Sequence, residues 1–182
     1  MEEAHWKHLS AMSDELFREL MEKYGQDVWN VAFVLTKSRD LADDIAQDVF
    51  LSAYRNIDRF RGESSIKTWL LTIARNTAIN YRRTAFFRKV SLMPWIDNKG
   101  SNPSAERLVM ERTAISDLWQ AVMKLPVKFR EVLLLHVKYE MPLKDIAKLL
   151  DVSEGTVKSR LSRARQKVAV YWKEAGASYE RV

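Results

Sequence analysis

Residues 141–167 read MPLKDIAKLLDVSEGTVKSRLSRARQK. Leu143, Ile146, Ala147 and Leu150 recur at helical spacing and predict one short helix. Asp151 and Val152 make a turn, and Ser153 is placed to cap a second helix by accepting a hydrogen bond from an early backbone N–H. In that second helix Val157, Leu161, Ala164 and Val168 form a single apolar stripe. Its remaining surface carries Lys158, Arg160, Arg163, Arg165 and Lys167. Ala147 is small where the two helices would cross closely. Two short-linked helices, the second of them basic, are the pattern of a helix-turn-helix, whose second helix enters the DNA major groove.

Helical geometry selects the residues that would face DNA. At about 100° per residue, the side opposite Val157 and Leu161 holds Gly155, Thr156, Ser159, Ser162 and Arg163. Arg163, Ser159 and Ser162 are the candidates for base edges, since Arg favours guanine and Ser can donate or accept. Lys158, Arg160, Arg165 and Lys167 lie on the flanks, where phosphates would run and affinity would depend on salt. Gly155 leaves the start of the helix bare for close approach to a phosphate. The competing reading is a solvated basic helix in an ordinary bundle. Many such motifs carry an apolar residue three positions after that of Val157. Here it is Arg160, so Leu161 must take over the packing.

The chain around this motif is suited to helices. Its 182 residues are 47% apolar, with five Gly and four Pro. Length permits one medium domain or two small ones. Cysteine is absent, which excludes disulfides, cysteine zinc sites and thiol catalysis and fits a cytoplasmic protein. The N-terminal MEEAHWKHLS lacks an apolar run, and no run of membrane-spanning length occurs, so neither a signal peptide nor direct membrane insertion is expected. The net charge of +6 is concentrated. Residues 1–83 hold 12 basic and 13 acidic side chains, residues 84–182 hold 18 and 11. A basic C-terminal half points to a polyanion partner.

Ser13 opens a helical pattern with Leu16, Phe17, Leu20 and Met21 on one face, which Gly25 interrupts. A second helix follows over Val28–Leu35. Ser38 caps a third, from Arg39 to about Ile57. Leu41, Ile45, Val49, Ala53 and Tyr54 pack its inner side, while Asp40, Asp43, Asp44, Gln47 and Asp48 line the other. No His stands near these carboxylates, and neighbouring carboxylates on one helix rarely make a cage, so no metal site is expected. The row is either a solvated acidic face, favourable near a helix N-terminus, or a docking face for a basic partner. Phe60, Arg61, Gly62, Glu63, Ser64 and Ser65 form a loop. A fourth helix, about Ile66–Arg83, turns Ile66, Trp69, Leu70, Ile73 and Ala74 inward and Lys67, Arg75, Asn76, Asn80, Arg82 and Arg83 outward. Phe60, Trp69 and Tyr81 among cations and amides suit unpaired nucleotides, which need stacking faces and phosphate neutralisation; the competing reading makes Phe60 and Trp69 core residues with Arg beside them, and Trp69, on the apolar face, fits it better.

Residues 84–103, with Pro94, Gly100 and Pro103, read as a linker between domains at 13–83 and 104–174. The second domain adds an amphipathic helix through Leu108, Ile115, Leu118, Trp119, Val122 and Met123, and another over Val127–Tyr139, in which His136 reads as a structural or surface residue. The helix-turn-helix follows. The fold class is all-α: two small helical domains, one of four helices and one carrying the helix-turn-helix.

Two segments, DLADDIAQDVFLSAYRNIDRFRGESSIKTWLLTIARNTAINYRR and LPVKFREVLLLHVKYEMPLKDIAKLLDVSEGTVKSRLSRAR, in this order and with a short linker, resemble the extracytoplasmic-function group of bacterial sigma factors, a branch of the sigma-70 family. The resemblance runs from about Ser13 to Trp172. It implies an alternative initiation subunit of RNA polymerase, not an enzyme, needing no cofactor. Its first domain, sigma-2, would bind the clamp helices of the polymerase largest subunit through Asp40, Asp43, Asp44, Gln47 and Asp48. The Phe60–Ser65 loop with Lys67, Arg75, Asn76, Asn80, Arg82 and Arg83 would open the −10 element and capture an unpaired base. Its second domain, sigma-4, would sit at the polymerase flap region and read duplex DNA at −35 through Gly155, Thr156, Lys158, Ser159, Arg160, Ser162, Arg163 and Arg165. The linker would pass through the polymerase. An anti-sigma factor, often membrane-anchored in this family, is the implied regulator.

Two other classes remain open at this point. A stand-alone helix-turn-helix regulator would bind duplex tightly without polymerase. A nucleic-acid enzyme would need the Asp40–Asp48 row to hold Mg²⁺, for which converging ligands and a phosphate loop are missing.

Overall fold

The computed structural model describes residues 13–91 and 114–179. They are helical throughout apart from short turns, and they fall into two units divided between Ser91 and Leu92. No helix among the described residues is long and apolar enough to cross a membrane.

The N-terminal unit is three mutually packed helices, α1 (Asp14–Thr36), α2 (Arg39–Asn56) and α3 (Ile66–Ser91). Ser13 caps α1 by accepting from the Leu16 N–H at 3.3 Å, and Ser38 caps α2 through the Leu41 N–H at 3.3 Å. Between these helices Lys37 takes a left-handed conformation and returns its N–H to the Phe33 carbonyl. Leu20, Val28, Val34, Leu35, Ile45, Val49, Ile66, Leu70 and Leu71 are fully buried between the three helices. Burying an aliphatic side chain of this size stabilises by about 1.5–3 kcal/mol.

Two expectations change here. Gly25 does not separate two helices: α1 runs unbroken through it, so the unit has three long helices instead of four. Leu20 and Val28 bury on either side of it, which outweighs the roughly 1 kcal/mol that Gly costs against Ala. At the other end α3 continues beyond Arg83 to Ser91. No Pro or Gly occurs between Arg83 and Pro94, and Thr84 Oγ1 already donates back to the Asn80 carbonyl at 3.0 Å. The rest of the expected linker and the second domain's residues 104–113 lie outside the described residues.

The C-terminal unit comprises α4 (Ala114–Lys124), α5 (Val127–Leu133), a π-helical turn (Leu134–Lys138), α6 (Leu143–Leu150) and α7 (Glu154–Tyr179). α7 packs on α4, α5 and α6. Leu125, Phe129 and Ala164 form a buried cluster with Leu133, Val168 and Tyr171 against it. The helix expected over Val127–Tyr139 widens after Leu133, where Tyr139 N–H bonds to Leu134 O and Met141 N–H to Leu135 O. Glu140 is left-handed at φ 51°, turning the chain into α6. His136 Nδ1 lies 3.4 Å from the Met141 carbonyl, so it closes this turn structurally. α7 runs to Tyr179, past the expected end near Glu174.

Candidate nucleic-acid interface

The turn between α6 and α7 is closed by backbone bonds. Asp151 is left-handed at φ 53°, its N–H returning to Lys148 O, and the Val152 N–H reaches Ala147 O at 3.0 Å, a Schellman-type ending. Ser153 Oγ then accepts from the Thr156 N–H at 3.2 Å and lies 3.0 Å from Thr156 Oγ1. This fixes the direction in which α7 leaves the turn.

α7 buries Val157, Leu161 and Ala164 and exposes Gly155, Lys158, Ser159, Ser162, Arg163 and Arg165. Thr156 is half-buried, and the Ser159 hydroxyl donates to its carbonyl at 3.0 Å. Leu161 does take the packing position beside Arg160. Arg160 itself departs from the expected phosphate flank: its Nη1 is 3.5 Å from Glu131 Oε1 on α5. It stands three positions from Val157, at the border of the buried stripe, where a guanidinium reaches a neighbouring helix more easily than a phosphate. Sequence reasoning missed Glu131, a buried carboxylate inside an apolar run, and its neighbour Arg130, whose Nη1 donates to the Met123 carbonyl at 3.1 Å. It also missed Lys144 and Lys148. These border an open groove between α6 and the start of α7, together with Asp151, Ser153 and Glu154.

On the N-terminal unit, the loop and α3 residues expected to act together divide. Phe60 is buried at 7% exposure, its ring 5.4 Å from that of Trp69, so it belongs to the core and offers no face to a base. The short helical turn Ile57–Arg59 places it there, the Phe60 N–H bonding to Ile57 O. Arg61, Glu63 and Ser64 are exposed, and Gly62 is left-handed at φ 65°, a conformation that favours glycine. Ser65 is occupied as the cap of α3, accepting from the Thr68 N–H at 3.0 Å. Lys67 does not share a side with Asn76: its Nζ lies 2.8 Å from Asp27 of α1. Nine positions apart on a helix is about 180° of rotation. The same geometry puts exposed Asn76, Asn80 and Arg83 on one strip, with Arg75 and Arg82 on its flank. Arg75 Nη1 is 3.4 Å from Asn76 Oδ1.

The acidic residues of α2, Asp40, Asp43, Asp44, Gln47 and Asp48, are all exposed. Ala42, Ile45, Val49, Phe50 and Ala53 are buried on the opposite side. Tyr54 is not fully inward: it is 43% exposed and meets Phe17 edge-on at 5.3 Å. Tyr81 is half-buried and tied by its hydroxyl to the acidic row. Its hydroxyl donates to Asp48 Oδ2 at 2.7 Å, and that hydrogen bond, then desolvation, then the charges of Asp48 and Asp44, raise its pKa above that of an ordinary tyrosine.

Comparison with known proteins follows the same division. Residues 20–86 match the family model of Sigma-70 region 2, and residues 115–168 that of Sigma-70, region 4. RNA polymerase sigma factor YlaC of Bacillus subtilis is 34% identical over 164 residues, spanning 87% of this chain and 90% of its own length. ECF RNA polymerase sigma-E factor of Haemophilus influenzae is 33% identical over 166 residues, 84% of this chain and 85% of its own. Among solved structures, the sigma factor RpoE of Bartonella quintana in complex with the anti-sigma factor NepR has a likeness of fold, with TM-score 0.68, 24% identity and coverage of 86% and 96%. CnrH in complex with the cytosolic domain of CnrY gives TM-score 0.63 at 24% identity, over 89% and 90%.

Proposed function

The chain belongs to the extracytoplasmic-function group of the sigma-70 family, and from that premise we propose how its surfaces divide the work of an alternative sigma factor. The acidic face of α2, from Asp40 to Asp48, docks on the clamp helices of the polymerase largest subunit. The helix-turn-helix unit sits by the flap region and anchors the −35 duplex. Ser159, Ser162 and Arg163 face base edges, while Gly155, Thr156, Lys158 and Arg165 track phosphates. Asn76, Asn80 and Arg83, flanked by Arg75 and Arg82 and by the Arg61–Ser64 loop, receive the unpaired strand at −10.

The observation that carries this reading is the arrangement of α7. Ser159, Ser162 and Arg163 are exposed across the helix from fully buried Val157 and Ala164, in a chain whose other unit presents an exposed carboxylate row. The process is assisted melting without covalent chemistry. Extruding a base costs a few kcal/mol of stacking and pairing, and a matching pocket offsets that cost for the right base alone.

RpoE and CnrH are each solved with a partner protein, for RpoE the anti-sigma factor NepR. We infer a partner of the same kind for this chain, acting in the cytoplasm where polymerase and promoter are. The test of the function is transcription in vitro with purified core polymerase on a library of promoter fragments. Transcripts starting at one shared sequence class, and only when the chain is added, support the reading. No association with core and no selective initiation overturn it.

A further inference from the structure

Asp40, Asp43, Asp44, Gln47 and Asp48 do not stand alike on α2. At about 100° per residue they span an arc of roughly 140°, with Asp43 at one edge, Asp48 at the other, and Asp40, Asp44 and Gln47 between. The two edge carboxylates are held from the flanking helices. Trp29 of α1 donates its indole N–H to Asp43 Oδ1 at 2.7 Å, and Tyr81 of α3 donates its hydroxyl to Asp48 Oδ2 at 2.7 Å. Trp29 is itself stacked on Phe33, centroids 5.1 Å apart and planes inclined by 11°.

The chemistry of these donors matters. A lysine or arginine in either place would cancel the carboxylate's charge. An indole and a phenol fix the carboxylate while leaving its negative charge in place. Each uses one oxygen, so among the described residues Asp43 Oδ2 and Asp48 Oδ1 stay open to a cationic donor. An exposed side chain that is free to rotate loses rotamer entropy when a partner fixes it, and one already fixed does not. A tyrosine hydroxyl is already a donor in the neutral range, and the raised pKa of Tyr81 keeps it one further into alkaline pH.

We propose that Trp29 and Tyr81 are positioning residues for the polymerase-docking face, holding Asp43 and Asp48 in place at its two edges with their charges intact for a cationic partner. The inference rests on α2 being the docking face, so the experiment separates the two. Affinity of the full chain for core polymerase is measured for wild type, Asp44→Ala, Asp48→Asn, Tyr81→Phe and the Tyr81→Phe/Asp48→Asn double variant, each with its urea unfolding midpoint. Tyr81→Phe is expected to weaken binding roughly two- to tenfold. In the Asp48→Asn background it should add no further loss, because Tyr81 acts through Asp48. Trp29→Phe, tested with and without Asp43→Asn, should behave the same way. Unchanged affinity in Tyr81→Phe, or a loss that persists in full without the Asp48 carboxylate, overturns the positioning role while leaving the docking face standing. Unchanged affinity in both Asp44→Ala and Asp48→Asn removes the docking face itself.

Discussion

Arg160 and Glu131 meet across 29 positions of chain, Arg160 Nη1 lying 3.5 Å from Glu131 Oε1, with the arginine side chain 23% exposed and the glutamate 8%. A residue that the sequence places among DNA contacts is thereby a brace between α7 and α5. Arg160→Ala is expected to destabilise the C-terminal unit by about 1–2 kcal/mol. That is below the 3–5 kcal/mol of a fully buried pair because the arginine is partly solvated. Lys158→Ala, exposed and outside the packing, should change stability by less than about 0.5 kcal/mol. Urea unfolding of the two variants checks the contrast, and equal midpoints would return Arg160 to the DNA-facing set.

Arg163 has the opposite assignment. In the complex with core polymerase, Arg163→Ala should cost about 1–3 kcal/mol on a matching −35 duplex and much less on a duplex altered at the contacted base. Lys158→Ala should weaken all sequences alike and lower the salt slope by about one. Titrations at several salt concentrations on both duplexes measure this. A uniform loss for Arg163→Ala would make it a phosphate contact.

Local pattern made much of this molecule legible. Ser13, Ser38 and Ser153 cap the helices they precede, and the stripe of Val157, Leu161 and Ala164 is buried as its spacing requires. What was not legible is non-local. Trp29–Asp43, Tyr81–Asp48 and Arg160–Glu131 join residues on different helices, and no periodicity within one helix encodes which neighbour it meets. Phe60 looked available because it stands in a loop among cations, yet a single short turn carries its ring onto Trp69. Lys67 looked outward because it is charged, and its partner Asp27 lies 40 positions earlier on α1. The π-helical turn at Leu134 follows from no residue signal, since LLHVK would suit an α-helix equally well.

Gly25 gives a direct check on the unbroken α1. A Cβ added there meets nothing within 4 Å, and the residue is helical. Gly25→Ala is therefore expected to stabilise the protein by about 0.4–1 kcal/mol, chiefly by restricting the unfolded chain. Thermal unfolding measures it; destabilisation would mean that Gly25 breaks the helix.

Tyr81 carries a pH signature. Its pKa is raised in the folded protein, first by the hydrogen bond to Asp48. A raised value means that the folded state holds the phenol's proton more tightly than the unfolded chain. The contribution to stability is present in full below the ordinary tyrosine value of about 10 and is lost as pH rises through the folded value. Phenolate absorbance of wild type minus Tyr81→Phe should show one tyrosine titrating later than a free phenol. A difference titration at or below the ordinary value would contradict the Asp48 link.

The division of labour between the two units is tested most directly by permanganate reactivity of unpaired thymines on a promoter found by the transcription screen. With core polymerase and the full chain, reactive thymines should appear at the −10 element. Asn76→Ala/Asn80→Ala should lose that reactivity while the −35 duplex stays protected, and Arg163→Ala should lose −35 protection. Neither signal should appear with the chain alone. Tight, sequence-specific duplex binding without polymerase, and no strand opening when polymerase is added, would contradict the account and leave a stand-alone helix-turn-helix regulator in its place.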